Sequence, residues 1–434
     1  MIGSGDILAT KAINIDHIAR IEGHGNVKVV IQEGKLEKVE MNIIEPARLF
    51  ESMVRGRSYK DCSYISSRIC GICSPSHCLT DIKAVESAFG VEVSERTRQI
   101  RELLVYGSYL QNHASHLFVF AIPDFIGEAS VLPLSQTNPE LFNQALKLKA
   151  LGNELCTKIG GRSIHPITAV VGGFTHEISA KEYLELADKL EEMIPFACEV
   201  VDLLASFRLT EFQSQSTLLA LVEDNYYPVQ SSNSLRLIEE DATFEANDYL
   251  DYLEEYEVAH SGSLFTKTKK TGNHVMTSAL ARMNASWSYL CPEAKIISAK
   301  AGLRPVEKNP LKNNLAQAIE IVDALYRCSK LCRDLALMEG CSKPVSYSVK
   351  AGRGVGVTEA PRGIVFHDLE FDEAGKIVHA SIITPTAQNL ASMEADIRDL
   401  VELLLETGLT EEHIRLEIEK VVRAYDPCLS CSVH

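Results

Sequence analysis

The chain has no excess of positive charge. Its 43 Lys and Arg against 59 Asp and Glu leave a formal net charge of −16 over 434 residues. That balance argues against nucleic acid and against anionic membrane surfaces as partners. No apolar run approaches the roughly 20 residues that a membrane helix needs, so no membrane span is expected. The first 30 residues lack the charged segment followed by an apolar segment of a secretory leader. There is no internal repeat and no low-complexity segment. A long acidic chain without an export pattern is expected in the cytoplasm, where disulfides are rare. What remains is ordinary globular composition, 46% hydrophobic and 24% charged, enough for one large domain or two to three smaller ones.

Cysteine is abundant, at 12 residues. Four of them form two C-x-x-C pairs, Cys70–Cys73 in RICGICSPSH and Cys428–Cys431 in DPCLSCSVH. Such a pair presents two thiolates at a spacing that can hold one metal centre. The pairs lie near opposite ends of the chain, so the fold must finish before a joint site can exist. That favours a buried reactive centre over a local zinc staple. Four thiolates suit zinc, an iron–sulfur cluster, or a soft metal such as nickel with iron. His77 and His434 each fall within about one turn of a cysteine. Most of the other eight cysteines, such as Cys156 and Cys198, sit in apolar helical contexts and read as small buried hydrophobes. Cys62 and Cys78 flank the first pair and read as structural.

The pattern predicts an α+β fold, mostly helical, with a large central helical bundle flanked by small antiparallel β elements from both terminal regions. Residues 12–46 read as an N-terminal β region with a turn at Glu33-Gly34-Lys35. Residues 77–345 read as helical, including a helix across 97–120, one opened by a capping box at Ser179–Glu182 and running to about 207, and one over 312–338. Residues 221–275, polar and aromatic, read as an irregular surface insertion. Strands are expected over 345–386, beginning with VSYSVKAG, and the two β regions are expected to meet. Helices 387–406 and 411–424 follow, with Gly408 ending the first and Thr410 capping the second. The whole, 1–434, reads as a single domain closed by a metal-binding tail.

Six blocks in order, RIEGHGNV (20–27), RICGICSPSH (68–77), GGRSIHPITAVVGG (160–173), EAPRG (359–363), ITPTAQN (383–389) and DPCLSCSVH (426–434), resemble the large, catalytic subunit of nickel–iron hydrogenases. Finer likeness, in INIDHIARIEG, ALKLKALG, NNLAQAIEIV and VVRAYDPCLSCSVH, points to the cytoplasmic branch: sulfhydrogenase-type, NAD(P)-linked or F420-non-reducing. The resemblance implies a nickel–iron centre with CO and cyanide on iron. Cys70 and Cys428 would be terminal nickel ligands, with Cys73 and Cys431 as bridges. Cys428 would take the proton from H₂ and Glu22 would relay it; read by itself, Glu22 is equally a strand-end surface acid. Arg362 would hang over the metals, held by Asp426; by itself it reads as a surface salt bridge. Ala360 and Pro361 would offer backbone to the cyanides, and Thr386 a hydroxyl. His77 would donate to a bridging sulfur. His434, Glu51 and the Ile382 carbonyl would bind a magnesium or iron ion, and a chain ending at His434 has the form of the matured subunit. The family often has aspartate where this chain has Asn112, which removes one carboxylate near Arg362. His113, His116 and His165 are assigned to a partner interface or to buried backbone groups.

The expected activity is reversible heterolytic cleavage of H₂ to protons and electrons. The chain has no further cysteine motif of iron–sulfur type, so an iron–sulfur small subunit is implied. The finer likeness adds flavin and iron–sulfur diaphorase subunits, with NAD(P) and ferredoxin as candidate acceptors. Three rivals stand beside it: a regulatory hydrogen-sensing subunit, a structural Cys₄ zinc protein, and the respiratory-complex relative that has lost its nickel ligands. All four cysteines are present, which disfavours the last.

Overall fold

The computed structural model describes residues 11–434; residues 1–10, the start of the stretch read for a leader and of the expected single domain, lie outside the described residues. Strands β1 (Lys11–Ile15), β2 (Gly25–Gln32) and β3 (Lys35–Ile43) form an antiparallel sheet in that order. Val27, Val29 and Ile31 of β2 point into the core and alternate with more exposed neighbours, the period-2 pattern of a half-buried strand.

The middle of the chain is mostly helical: α1 (Ser74–Phe89), α2 (Glu95–Ser115), α3 (Pro139–Gly160), α4 (Ala180–Glu192), α5 (Ile194–Ala205), α6 (Ala279–Ser286) and α7 (Asn313–Leu337). The first two turns of α7 and more are buried on every side, as befits the central helix of a bundle. The helix expected from Ser179 to about 207 is two. The capping box is present, with Ser179 and Glu182 bonded reciprocally. The helix stops at Met193 because Pro195, in the next first turn, has no N–H to continue the ladder.

The segment expected to be an irregular insertion is instead built into the core. Strands β4 (Thr217–Leu221), β5 (Ser234–Leu237), β6 (Ala242–Glu245), β7 (Leu253–Tyr256), β8 (Phe265–Thr268) and β9 (Val275–Met276) form a four-stranded sheet ordered β9-β4-β5-β6 and a two-stranded one, β8-β7. Leu219, Leu221, Leu235, Leu237 and Phe244 pack there on Val355, Val357, Ile364 and Phe366. Strands of two to five residues are too short to show a period against polar flanks.

The C-terminal sheet is β10 (Gly352–Ala360), β11 (Gly363–Phe371) and β12 (Ile377–Ile383). No strand forms over 345–351, where one was expected; pairing starts at Gly352. The terminal sheets do not merge. Helix α8 (Pro385–Leu405) packs on β3 and on the C-terminal side, standing between them. Thr410 caps α9 (Glu411–Ala424) through the His413 N–H. Helix α1 lies flat on β10 because Gly354 and Gly356 have no Cβ: a methyl at either would overlap the carbonyl oxygens of Ala84 and Thr80. No helix among the described residues is long and apolar enough to cross a membrane.

Candidate metal centre

The first cysteine pair is set by the start of α1. Cys70 is extended, Cys73 is the N-cap, and Pro75 sits in the first turn. The Cys73 N–H donates to the Cys70 sulfur at 3.2 Å, a contact the C-x-x-C spacing permits, and the Cys73 thiol lowers the Cys70 thiol below its ordinary range. The second pair is set by docking. Asp426 takes a left-handed φ of 48°, and a 3₁₀ turn follows over Ser430–Val433. The Cys428 N–H donates to Thr386 Oγ1 at 2.9 Å. The Leu429 N–H donates to the Glu22 carbonyl at 2.9 Å. Gly23, at φ 86°, allows this approach, since a Cβ there would come within 2.8 Å of Leu429 and Ser430. Arg48 ties the halves together, donating to the carbonyls of Ile69 at 2.6 Å and Ser430 at 3.3 Å.

All four sulfurs are buried. Those of Cys70 and Cys428 are 3.7 Å apart, and those of Cys428 and Cys431 are joined as a disulfide. Cys70, Cys428 and Cys431 form one compact ligand group, and Cys73, His77 and Cys431 another, each within 4.8 Å. A disulfide needs two cysteines. Four buried ones converging beside a cation is the donor chemistry of a soft-metal site, so the residues fit a thiolate-bound metal centre.

Arg362 is 3% exposed. Its Nε donates to Asp426 Oδ1 at 3.0 Å, while Nη1 is buried without a protein partner. Asp426 Oδ2 accepts from Asn112 at 2.8 Å and Gln317 at 3.1 Å. Burial alone would raise the Asp426 carboxyl; Arg362, His116 and Asn112 outweigh it and hold the group below the usual range. Asn112 thus supports Asp426 by donation instead of competing for Arg362. On the other side, Cys428 Sγ lies 3.0 Å from Glu22 Oε2, and Ser430 Oγ donates to Glu22 Oε1. Ala360 belongs to the same buried cluster as all four cysteines, but the Ala360 and Pro361 carbonyls turn away toward Arg282, at 3.1 and 3.0 Å. With its oxygen accepting from Cys428, the Thr386 hydroxyl keeps its own proton to donate.

His77 Nδ1 meets His367 Nε2 at 3.1 Å, and His367 Nδ1 meets Asp81 Oδ1 at 3.0 Å, with the Cys62 thiol on the same oxygen. Burial and the neighbouring His367 hold His77 well below its ordinary pKa. No motif marks His367 or Asp81, and the sequence reading missed both. His116 and His165 bond the backbone carbonyls of Arg423 and Ser67, and His113 pairs with Glu320. They serve buried groups.

Glu51, Ile382 and His434 also come together. Glu51 Oε1 lies 3.8 Å from His434 Nε2 and accepts from the Ile382 N–H at 2.7 Å. They line a cavity of about 120 Å³ with Glu255, another residue the sequence reading missed. Burial and the nearby Glu51 push Glu255 up to about 7. Two carboxylates and an imidazole facing a small cavity suit a hard divalent cation.

Set against known proteins, residues 48–143 and 306–434 match the nickel-dependent hydrogenase family. The chain is 37% identical to sulfhydrogenase 1 subunit alpha of Pyrococcus furiosus, over 97% of both chains. It is 33% identical to sulfhydrogenase 2 subunit alpha of the same organism, over 97% of this chain and 98% of that one. Among solved structures it resembles an NAD⁺-reducing [NiFe]-hydrogenase in the H₂-reduced state, with TM-score 0.87 and 27% identity, over 98% of this chain and 100% of that one.

Proposed function

The chain belongs to the nickel-dependent hydrogenase family, as a catalytic large subunit, and from that premise we propose which of its residues do the work. Cys70, Cys73, Cys428 and Cys431 would hold a nickel–iron pair whose iron carries CO and cyanide, Cys70 and Cys428 serving nickel alone and Cys73 and Cys431 serving both metals. When bound, such a pair polarises and splits H₂. The observation that carries the assignment is the convergence of four buried sulfurs with a carboxylate 3.0 Å from one of them.

Cys428 Sγ receives the proton and passes it to Glu22 Oε2, and the hydroxyl of Ser430 on Glu22 Oε1 begins the path outward. Glu22 is half-buried, so it links the sealed centre to the wetter edge of the N-terminal sheet. Arg362 presents its free Nη1 to the substrate space, and Asp426 fixes the other edge of the guanidinium. The Ala360-Pro361 turn and the Thr386 hydroxyl would border the iron's cyanides, and His77 would face the sulfurs of Cys73 and Cys431. Glu51, His434 and the Ile382 backbone, with Glu255 beyond them, hold a magnesium or iron ion that secures the tail.

Electrons leave through an iron–sulfur small subunit, because among the described residues cysteines gather into a metal-ligating group only at the two pairs. The likeness to an NAD⁺-reducing enzyme supports flavin and iron–sulfur diaphorase partners, NAD(P) as acceptor with ferredoxin as a second candidate in the same assembly, and a place in the cytoplasm. The test is the nickel, iron and zinc content of the purified complex, measured with hydrogen–deuterium exchange. Near-stoichiometric nickel with exchange is expected; zinc without nickel and without exchange would return the site to a structural Cys₄ centre.

A further inference from the structure

Arg282, on α6, lies one layer behind the β10–β11 turn that carries Arg362. A guanidinium has five N–H donors, and the structure offers Arg282 five acceptors. Nε donates to Glu320 Oε1 at 2.6 Å. Nη2 donates to Glu320 Oε2 at 2.8 Å and to the Pro361 carbonyl at 3.0 Å. Nη1 donates to Glu359 Oε2 at 3.0 Å and to the Ala360 carbonyl at 3.1 Å. The Tyr109 ring lies 5.0 Å from the guanidinium, and its hydroxyl donates to the Glu359 carbonyl at 3.1 Å. Arg282, Glu320 and Glu359 are all at most 2% exposed. Burying one cation with two carboxylates is a costly way to fill a core, and apolar residues would do it at less expense.

The arrangement does what apolar packing could not. It ties the carbonyls of three successive residues, Glu359, Ala360 and Pro361, to one side of the turn. Pro361 has no N–H, so its carbonyl is the backbone group by which the apex can be held. Arg362 is the next residue. Its own restraints are Asp426 on Nε and the turn it grows from, while Nη1 has no protein partner and its charge acts on Cys70 and Cys73. A small rotation of the turn would swing that free edge off the cysteines. Lysine could keep the charge of Arg282 but has three donors on one atom and cannot span both carboxylates and both carbonyls.

We propose that Arg282 is a positioning residue for hydrogen activation: braced by Glu320 and Glu359, it clamps the Ala360 and Pro361 carbonyls and so aims Arg362 at the cysteine cluster. This rests on the nickel–iron reading above. The experiment uses the whole purified complex and follows the infrared stretching bands of iron-bound CO and cyanide, nickel content, and hydrogen–deuterium exchange. In Arg282→Lys the bands shift and exchange falls about tenfold or more at full nickel, the range seen when supports of metal ligands are lost. Arg101→Lys is the matched control: Arg101 is equally buried and bidentate to Glu86, at 2.6 and 2.7 Å, away from the turn. It lowers the melting temperature and leaves the bands in place. If Arg282→Lys keeps the wild-type bands and exchange, or if Arg101→Lys moves the bands as far, the clamp is overturned. Should Arg282→Lys fail to assemble, Glu359→Ala decides, since it removes one brace: a smaller shift supports the clamp and unmoved bands refute it. Absence of the bands from the unaltered enzyme would remove the nickel–iron reading itself, and the clamp with it.

Discussion

The two cysteine pairs reach one point by different physical means. Cys70 and Cys73 are held locally: the start of α1 fixes both, and Cys73 bonds back to Cys70. Cys428 and Cys431 are held by docking onto Glu22, Thr386 and Arg48, each distant in sequence. Cys70 and Cys428 are 358 residues apart, and closing a flexible loop of that length costs about 5 kcal/mol. Hydrogen bonds from Thr386, Glu22 and Arg48 each contribute about 1 kcal/mol net, so docking with the apolar burial of Leu429 and Val433 offsets the closure narrowly. The locally held pair is the fixed jaw of the site. The docked pair is the jaw to which the proposed function gives the proton chemistry, since Glu22 lies 3.0 Å from Cys428 and, among the described residues, no acid is hydrogen-bonded to Cys70.

Changes on the docked jaw should therefore have the largest effects. Cys428→Ser replaces the sulfur that meets both Cys70 and Glu22 with a hard, weakly acidic hydroxyl; hydrogen–deuterium exchange should vanish, and substantial retained exchange would break the terminal-ligand assignment. Glu22→Gln keeps the shape and removes the proton acceptor. Exchange should slow by about 100-fold, as for loss of a general base, with nickel and iron content unchanged; an unaltered rate would take Glu22 out of the relay. Arg362→Lys loses the bidentate reach between Asp426 and the centre. Turnover should fall by roughly tenfold or more with nickel retained, and near-normal rates would make Arg362 structural.

The smallest expected effect sharpens the comparison through stability. Tyr425, just before Asp426, donates to Asp396 at 2.5 Å and so anchors the docked segment. Burial pushes the Asp396 carboxyl up to about 7. A carboxyl whose pKa is higher folded than unfolded binds its proton more tightly in the fold. Its contribution is complete below the ordinary carboxylate range of about 4 and is lost as pH rises through about 7. Asp396→Asn removes that loss, so the variant's melting temperature should gain on the wild type as pH rises from about 4 to about 7. Parallel melting curves across that range would mean Asp396 does not change its charge on folding.

Much of this was legible in the sequence where chemistry is tied to short motifs. The cysteine pairs, Glu22, Arg362 and His434 sit in compact blocks, and the chain brings them together. Elements with strong local signals also matched: the alternation of β2, the Ser179 capping box and the Thr410 cap. What was missed depends on tertiary placement. The two-to-five-residue strands of the middle region have no period to read. Met193 divides a helix through a proline two residues on, inside an otherwise continuous apolar pattern. His367, Asp81, Glu255 and Arg282 lie in no motif, and their meaning comes from what the fold sets beside them.

Strand β10 also serves as a gauge. Its near half, at Gly354 and Gly356, is the bed on which α1 rests, and α1 carries Cys73 and His77 at its tip. Its far end is Ala360, where the Arg362 turn begins, about 13 Å farther along at the strand rise. Helix and arginine are thus measured from one straightedge. A methyl group added at Gly356 would lift the helix and leave the arginine where it was, so the alignment of the centre is calibrated by two side chains that are not there.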